Sequence, residues 1–226
     1  KYLMDRNLLK RFISSLLMLI ILSFGLLVNN LYWLILIIIV SCISFYEFNN
    51  LLKKIFSDNK YFIFNILGCL YLIIFVYTSY YFFDNPPTNL VFIILICIFS
   101  DTGGYIVGKL IGGRKLTKIS PNKTVSGALG SFVFSLISIF FYLYALDYYR
   151  VDNFFYEKLI NLVLLCLFLS LVCQLGDLFI SYLKRKAEVK DTGSILPGHG
   201  GILDRIDGAI FVIPFAFLID NFLFSI

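Results

Sequence analysis

The sequence predicts an all-α fold: a polytopic integral membrane bundle of about seven transmembrane helices, with its N terminus in the cytoplasm. Hydrophobic residues fill 60% of the 226 positions and charged residues only 15%, and the mean hydropathy is +0.90. Soluble globular domains are far less apolar than this. Helices are expected because the apolar runs lack the alternation of apolar and polar residues that strands of a membrane barrel need.

Seven apolar runs are long enough to approach or cross a hydrocarbon core of about 30 Å. After the first run, Asn29-Asn30 and Tyr32-Trp33 indicate a tight turn with aromatic anchors at a membrane interface. This favours a transmembrane helix over a cleaved signal peptide. The predicted spans are 12–28, 31–48, 61–83, 89–110, 126–146, 159–183 and 208–226.

The basic residues are distributed unevenly among the predicted connections, and this sets the orientation. All but two of the 19 lysines and arginines lie in the N-terminal tail or in the segments 53–60, 109–123 and 184–205. The two others, Arg150 and Lys158, fall in the alternate connections, so the positive-inside rule places the N terminus in the cytoplasm. The net charge of +5 thus reflects membrane topology and a local positive potential that attracts phosphate. It gives no support to nucleic-acid binding, for which an exposed basic face would be needed.

The whole chain, 1–226, is predicted to form a single membrane domain. Residues 1–100 supply N-terminal apolar helices, and residues 101–226 form the catalytic region, with cytoplasmic loops at 111–125 and 184–207. The five cysteines lie inside apolar runs and show no CxxC spacing. Neither a disulfide framework nor a zinc site is therefore expected.

Asp101 opens the first polar segment and lies inside the fourth predicted span. A carboxylate there is costly unless it is paired, faces water or binds a cation, so Asp101 is either a functional residue or the structural partner of Lys109. The glycines from Gly103 to Gly113 permit close helix packing or the approach of backbone to a ligand. The loop that follows holds groups able to meet a phosphate, although basic residues fill many short cytoplasmic loops. These groups are Arg114, Lys115, Lys118, Ser120, Lys123 and Thr124.

A second polar segment begins near the end of the sixth predicted span. Gln174, Asp177, Ser181 and Lys184 are separated by three, four and three residues, which places them along one face of a helix. That face carries donors and acceptors towards the cytoplasm.

The chain then turns back through the glycine-rich segment 197–201, so we expect Asp177 and Asp204 to converge. Two such carboxylates repel unless one is protonated or a cation lies between them, and Mg²⁺ favours one or two carboxylates plus phosphate oxygens. The sequence therefore predicts a magnesium–nucleotide site. The structural alternatives are an N-cap role for Asp204 or Asp207 and a structural role for His199, the single histidine.

Residues at fixed spacing over roughly the C-terminal 60% of the chain carry a resemblance to a known family. The sequence resembles the phosphatidate cytidylyltransferase family, also called CDP-diacylglycerol synthases. One departure is Ser126, because the family usually has a glutamate at this position, before Gly127. The chain is also short for the family, which a compact homologue or a missing N terminus would explain. The matching residues are Ser181, Lys184-Arg185, Lys190-Asp191, Gly193, Leu196-Pro197, His199-Gly200-Gly201, Asp204-Arg205 and Asp207, with Asp101-Thr102-Gly103, Ile119-Ser120-Pro121, Lys123-Thr124 and Gly127 upstream.

The resemblance implies transfer of the cytidylyl group of CTP to phosphatidic acid, which gives CDP-diacylglycerol and pyrophosphate for phospholipid synthesis. We expect direct attack on the α-phosphorus, helped by Mg²⁺ and by a second cation where one binds. Asp177 and Asp204 are the predicted metal ligands. The predicted catalytic residues are Asp177, Ser181, Lys184, Arg185, Lys190, Asp191, His199, Asp204, Arg205 and Asp207, and the predicted substrate-binding residues are Asp101, Ser120, Lys123, Thr124, Gly200 and Gly201.

The expected partners are CTP, phosphatidic acid and membrane lipids, with a homodimer as the candidate assembly. The resemblance implies a bacterial inner membrane with the active site facing the cytoplasm. Other enzymes that use nucleotides on lipids, such as polyprenol or phytol kinases or a cytidylyltransferase for archaeal-type ether lipids, are the nearest alternatives. A transporter with Asp101 and Asp177 on an ion pathway is the alternative from another class, but its polar residues would lie near the bilayer midplane.

Overall fold

The computed structural model describes residues 6–57, 59–85, 87–117, 119–148, 156–198 and 200–223. These residues form helices joined by short connections, without a strand longer than an isolated bridge. His199, which the sequence analysis singles out, and Lys118 lie outside the described residues. The helices are α1 (Arg6–Leu27), α2 (Asn30–Ile55), α3 (Lys60–Asp84), α4 (Pro87–Ile111), α5 (Val125–Ser135), α6 (Ile137–Tyr148), α7 (Tyr156–Lys186), α8 (Leu203–Ile206) and α9 (Ala209–Leu223).

Five helical segments of the described chain are long and apolar enough to cross a membrane: Asn30–Ile55, Lys60–Asp84, Pro87–Ile111, Val125–Ala145 and Leu159–Lys186. Two shorter apolar segments, Leu16–Leu27 and Ala209–Ile219, coincide with the first and last predicted spans. The all-helical membrane fold is thus confirmed, while the count of seven spans and the orientation stay predictions.

The chain divides into two compact units. The first unit comprises residues 1–80 and 183–206, and the second comprises residues 81–182 and 207–226. Helix α7 contributes residues to both units. In the first unit, the fully buried Trp33 donates its indole N–H to Ser79 Oγ at 3.2 Å, which joins α2 to α3.

Glycines bring α4 and α5 together in the second unit. A Cβ added to Gly103 would lie under 3.0 Å from the carbonyl oxygen of Gly130, and one added to Gly127 would meet the carbonyl oxygen of Gly104 equally closely. Only residues without a side chain permit this separation of two helices. The structure therefore supports the packing interpretation for Gly103, Gly104 and Gly108, whereas Gly112 and Gly113 have open space beside them and a positive φ.

The predicted span 126–146 is two helices, because the chain breaks at Leu136 between α5 and α6. Three side chains bind the carbonyl groups that the break exposes. Ser138 Oγ and Cys166 Sγ both donate to the carbonyl oxygen of Ser135, at 2.6 and 2.9 Å, and Ser135 Oγ donates to that of Phe132 at 2.8 Å. Hydroxyl groups that compete for backbone carbonyls are a common cause of such breaks.

Candidate active site

Asp204 is the centre of a hydrogen-bonded network in the first unit. It lies in the short helix α8, and its side chain is only 5% exposed. Oδ1 accepts a hydrogen bond from Lys184 Nζ at 2.6 Å. Oδ2 accepts from the Thr192 amide at 2.8 Å, the Thr192 hydroxyl at 3.0 Å and the Gly201 amide at 3.0 Å. Both carboxylate oxygens of Asp204 therefore accept hydrogen bonds, and the donor residues precede α9. An N-cap of α9 would accept from amides in the first turn of that helix, so Asp204 does not have this role.

The environment of Asp204 favours its charged form. Burial alone would raise the pKa of the carboxyl group, but the hydrogen bond from Lys184, the amides of Thr192 and Gly201, and the Lys184 charge outweigh it. The net result is a pKa below the ordinary value of 3.8. At neutral pH the site thus holds a carboxylate bound to a lysine whose side chain is 15% exposed.

Glu47 is the residue of this network that sequence reasoning missed. It belongs to α2, is 1% exposed, and accepts hydrogen bonds from the Thr192 hydroxyl and from the amides of Ile202 and Leu203. A signal was present in the sequence, since Glu47 is a carboxylate at the end of the apolar run 31–48. Such a carboxylate is a candidate functional residue by the same reasoning that singled out Asp101.

A second cluster of charges lies in the second unit, at the cytoplasmic end predicted for α4 and α7. Lys123 Nζ forms an ion pair with Asp177 Oδ2, and the two side chains are 27% and 26% exposed. Ser181, one turn further along α7, donates its hydroxyl to Asp177 Oδ1 at 3.3 Å. Asp101 lies close enough for its charge to interact with those of Asp177 and Lys123, and Cys173 Sγ donates to its Oδ1 at 3.8 Å.

The loop between α4 and α5 is held by local hydrogen bonds that position Lys123. Thr124 is the N-cap of α5, and its Oγ1 accepts the Gly127 amide at 3.0 Å. The Leu116 amide donates to the carbonyl oxygen of Lys123 at 2.8 Å, and the Lys123 amide donates to that of Ser120 at 3.1 Å. Thr124 therefore has a capping role in addition to the predicted substrate contact.

Ser126 takes up the place where the family usually has glutamate, and it has a structural role. Its hydroxyl donates to the carbonyl oxygen of Gly112, near the end of α4, at 2.5 Å and contacts Thr124 Oγ1 at 3.0 Å. The side chain thus joins the end of α4 to the start of α5.

The remaining predicted residues lie near the end of α7, in the segment after it, in α8 and just before α9. Gly200 has a positive φ of 82°, and the Leu196 amide donates to its carbonyl oxygen at 2.9 Å, which closes the predicted turn. Asp207 Oδ1 accepts the Gly208 amide at 3.0 Å just before α9. Among these residues, Arg185, Lys190, Asp191 and Arg205 are exposed, and Asp101 of the second cluster is exposed as well.

No group of three or more histidine, cysteine, aspartate or glutamate side chains suited to a metal ion occurs in the described part of the chain. Carboxylates of the two clusters instead have lysine partners, Lys184 for Asp204 and Lys123 for Asp177. The assignment of Asp177 and Asp204 as ligands of a cation stays a prediction.

Comparison with known proteins gives consistent results. Residues 59–223 match the profile of the cytidylyltransferase family. A relative from Bacillus subtilis (strain 168), named phosphatidate cytidylyltransferase, is 46% identical over 142 residues, which are 60% of this chain and 49% of the relative. Proteins of the same name from Rickettsia bellii (strain RML369-C) and Staphylococcus haemolyticus (strain JCSC1435) are 40% identical over 146 residues and 39% over 165.

These two alignments cover 61% and 71% of this chain, and each covers 61% of the relative. The chain thus spans about half to three fifths of the length of the relatives it matches. Both clusters fall in the matched segment, except for Glu47, which precedes it. Because the matched segment covers most of the sequence, the chain belongs to the cytidylyltransferase family.

Proposed function

We propose that this protein transfers the cytidylyl group of CTP to phosphatidic acid, which yields CDP-diacylglycerol and pyrophosphate. The observation that carries the proposal is the match over residues 59–223, together with relatives that are named phosphatidate cytidylyltransferase. Both charged clusters described above have their lysine and aspartate members in that segment. Family membership also weighs against the transporter alternative.

The two lysines supply the charge that the substrates require. CTP and phosphatidic acid are both anions, and their phosphate oxygens repel each other as they approach. Lys123 and Lys184 are each held by a carboxylate in the protein, so their ammonium groups are oriented before substrate binds. We propose that they bind phosphate oxygens, with Arg185, Lys190 and Arg205 adding exposed positive charge.

The proposal includes a divalent cation. Asp177 is about a quarter exposed, its charge interacts with that of Asp101, and Mg²⁺ is bound through one or two carboxylates with substrate phosphates. We propose Asp177 as a ligand and retain Asp204 as the second predicted one. When bound, Mg²⁺ neutralises charge that develops on the phosphates. Asp101, Asp191 and Asp207 are the proposed supporting carboxylates.

The proposed reaction is a direct transfer. A phosphate oxygen of phosphatidic acid forms a bond to the α-phosphorus of CTP, while the bond from that phosphorus to the bridging oxygen breaks and pyrophosphate leaves. Phosphatidic acid is already an anionic nucleophile, so orientation and charge neutralisation are the main requirements. Ser181 has the role of orienting Asp177 through the hydrogen bond that it donates.

The same proposal includes the setting of the reaction. The distribution of basic residues supports an active site on the cytoplasmic side. The bacterial relatives support a location in the inner (cell) membrane of a bacterium. A homodimer stays a prediction.

The test is Mg²⁺-dependent turnover by detergent-purified protein supplied with CTP and phosphatidic acid. Asp177→Asn keeps the size of the side chain and removes its charge, so we expect activity to fall at least about a hundredfold. Asp84→Asn, the same change at the exposed end of α3, is the matched control and retains activity. Activity of Asp177→Asn close to that of the wild type, or wild-type turnover without a divalent cation, would overturn the assignment.

A further inference from the structure

Glu47 is a buried carboxylate that the proposed chemistry does not use. It lies in α2 with apolar neighbours in sequence, and its exposure is 1%. Burial of a carboxylate is costly unless hydrogen bonds compensate for the lost water. A buried carboxylate must therefore accept hydrogen bonds from the protein. The donors to Glu47 indicate what this residue does.

Within the described residues, three groups donate to Glu47, and they come from the segment between α7 and α9. The Ile202 amide donates to Oε1 at 3.1 Å, and the Leu203 amide donates to Oε2 at 2.9 Å. The Thr192 hydroxyl lies 2.9 Å from Oε2 as well. One side chain of α2 thus binds both ends of the segment 192–203, which is more than 140 positions away in sequence.

Two glycines of the segment 192–203 lie against this carboxylate. A Cβ added to Gly193 would lie under 3.0 Å from Glu47 Oε1. A Cβ added to Gly201 would lie equally close to Glu47 Oε2 and to Thr192 Oγ1. Both glycines are therefore explained by the space that the Glu47 side chain occupies.

The same segment carries the donors to Asp204. Thr192 Oγ1 lies 2.9 Å from Glu47 Oε2 and 3.0 Å from Asp204 Oδ2, so the two carboxylates share its single hydroxyl proton. The amides of Thr192 and Gly201 also bind Asp204, which in turn binds Lys184. A continuous path of hydrogen bonds therefore runs from Glu47 through Thr192 and Asp204 to Lys184.

We propose that Glu47 is a positioning residue for the active site: it anchors the segment 192–203 so that Asp204 and Lys184 are held in their reactive arrangement. The expected effect of Glu47 on turnover rests on the proposed function, whereas its anchoring of the segment 192–203 does not. Glu47 precedes the segment 59–223 that matches the family, so that match assigns the residue no role.

The test compares Glu47→Gln with a control in the same helix. Glutamine has the same shape, but it has one acceptor oxygen and an NH₂ group that faces amide donors. Ser44→Ala is the control, because Ser44 is also fully buried in α2 and its hydroxyl donates to the carbonyl oxygen of Val40 in its own helix. Thr192→Val, which removes the bridging hydroxyl, is the second variant and serves where Glu47→Gln does not fold.

Two measurements are made on each purified variant, well below its melting temperature. Hydrogen exchange should accelerate about tenfold or more at Thr192, Gly201, Ile202 and Leu203 in Glu47→Gln, and not in α3. The kcat/KM for CTP should fall about tenfold to a hundredfold. Ser44→Ala should match the wild type in both, and the double variant Glu47→Gln/Thr192→Val should lose less than the product of the single losses.

Exchange that is unchanged at these amides, or that rises equally throughout the protein, would overturn the positioning role. Faster local exchange with kcat/KM within twofold of the wild type would overturn it as well. If the wild type forms no CDP-diacylglycerol, the proposed function fails, and the exchange of the four amides alone then decides whether Glu47 anchors the segment.

Discussion

Replacing Asp204 with asparagine should destabilise the protein more than replacing its partner Lys184 with methionine. Asp204→Asn removes the charge that four donor contacts share and leaves the Lys184 ammonium group, 15% exposed, without its carboxylate. Lys184→Met removes one donor, and Asp204 keeps the amides of Thr192 and Gly201 and the Thr192 hydroxyl. The two losses of stability differ because Asp204 has more hydrogen-bond partners than Lys184.

The magnitude follows from burial. Breaking a buried ion pair by removing one partner costs about 3–5 kcal/mol, and the 5% exposure of Asp204 places it in this class. We expect about 3 kcal/mol for Asp204→Asn and about 1–2 kcal/mol for Lys184→Met, since hydrogen bonds remain on the carboxylate. For a chain of this size, 1 kcal/mol lowers Tm by about 2–4 °C, so Asp204→Asn should lower it by about 6–12 °C.

The assay is thermal unfolding of the purified variants in one detergent, followed by the fluorescence of Trp33, the single tryptophan, which is buried in the same unit as Asp204. The double variant Asp204→Asn/Lys184→Met should be more stable than the sum of the two losses predicts, because it leaves no unpaired ammonium group. A larger loss for Lys184→Met than for Asp204→Asn would refute the reasoning, as would additivity of the two changes.

Two further predictions concern pH and the second cluster. Because the pKa of Asp204 is lowered in the folded protein, its contribution to stability is fully present above the ordinary value of 3.8 and is lost as pH falls through the folded pKa. The Tm difference between the wild type and Asp204→Asn should therefore be constant from about pH 8 to pH 5 and shrink only below about pH 4; a decrease near neutral pH would contradict this assignment. Lys123→Met should lower Tm by no more than about 3 °C, because its ion pair with Asp177 is partly exposed. Turnover should nevertheless fall at least about tenfold, since Lys123 is proposed to bind phosphate; a loss of stability with normal turnover would assign Lys123 a structural role only.

Sequence reasoning placed several polar residues on the correct elements because their signals are local. The spacing of Asp177, Ser181 and Lys184 predicts one helical face, and α7 contains all three. The turn before Asp204 is indicated by its glycines, and Gly198 and Gly200 indeed have positive φ. Hydropathy alone was enough to predict an all-helical membrane protein.

The features that sequence reasoning did not find depend on contacts between distant parts of the chain. Glu47 was counted as part of an apolar run, and its three donors lie 145, 155 and 156 positions further on. The break at Leu136 depends in part on Cys166, which belongs to α7. Hydropathy does not report either relationship, because a window average treats one carboxylate or one hydroxyl as a minor change.

The central claim is the transfer of a cytidylyl group, and the most direct test follows the phosphorus atoms of CTP. Purified protein with Mg²⁺ and phosphatidic acid is given CTP labelled with ³²P at the α or the γ position, and the lipid fraction is counted. The account predicts that the α label enters the lipid and that the γ label leaves as pyrophosphate. Entry of the γ label would instead show a lipid kinase, and absence of both labels from the lipid would contradict cytidylyl transfer to phosphatidic acid.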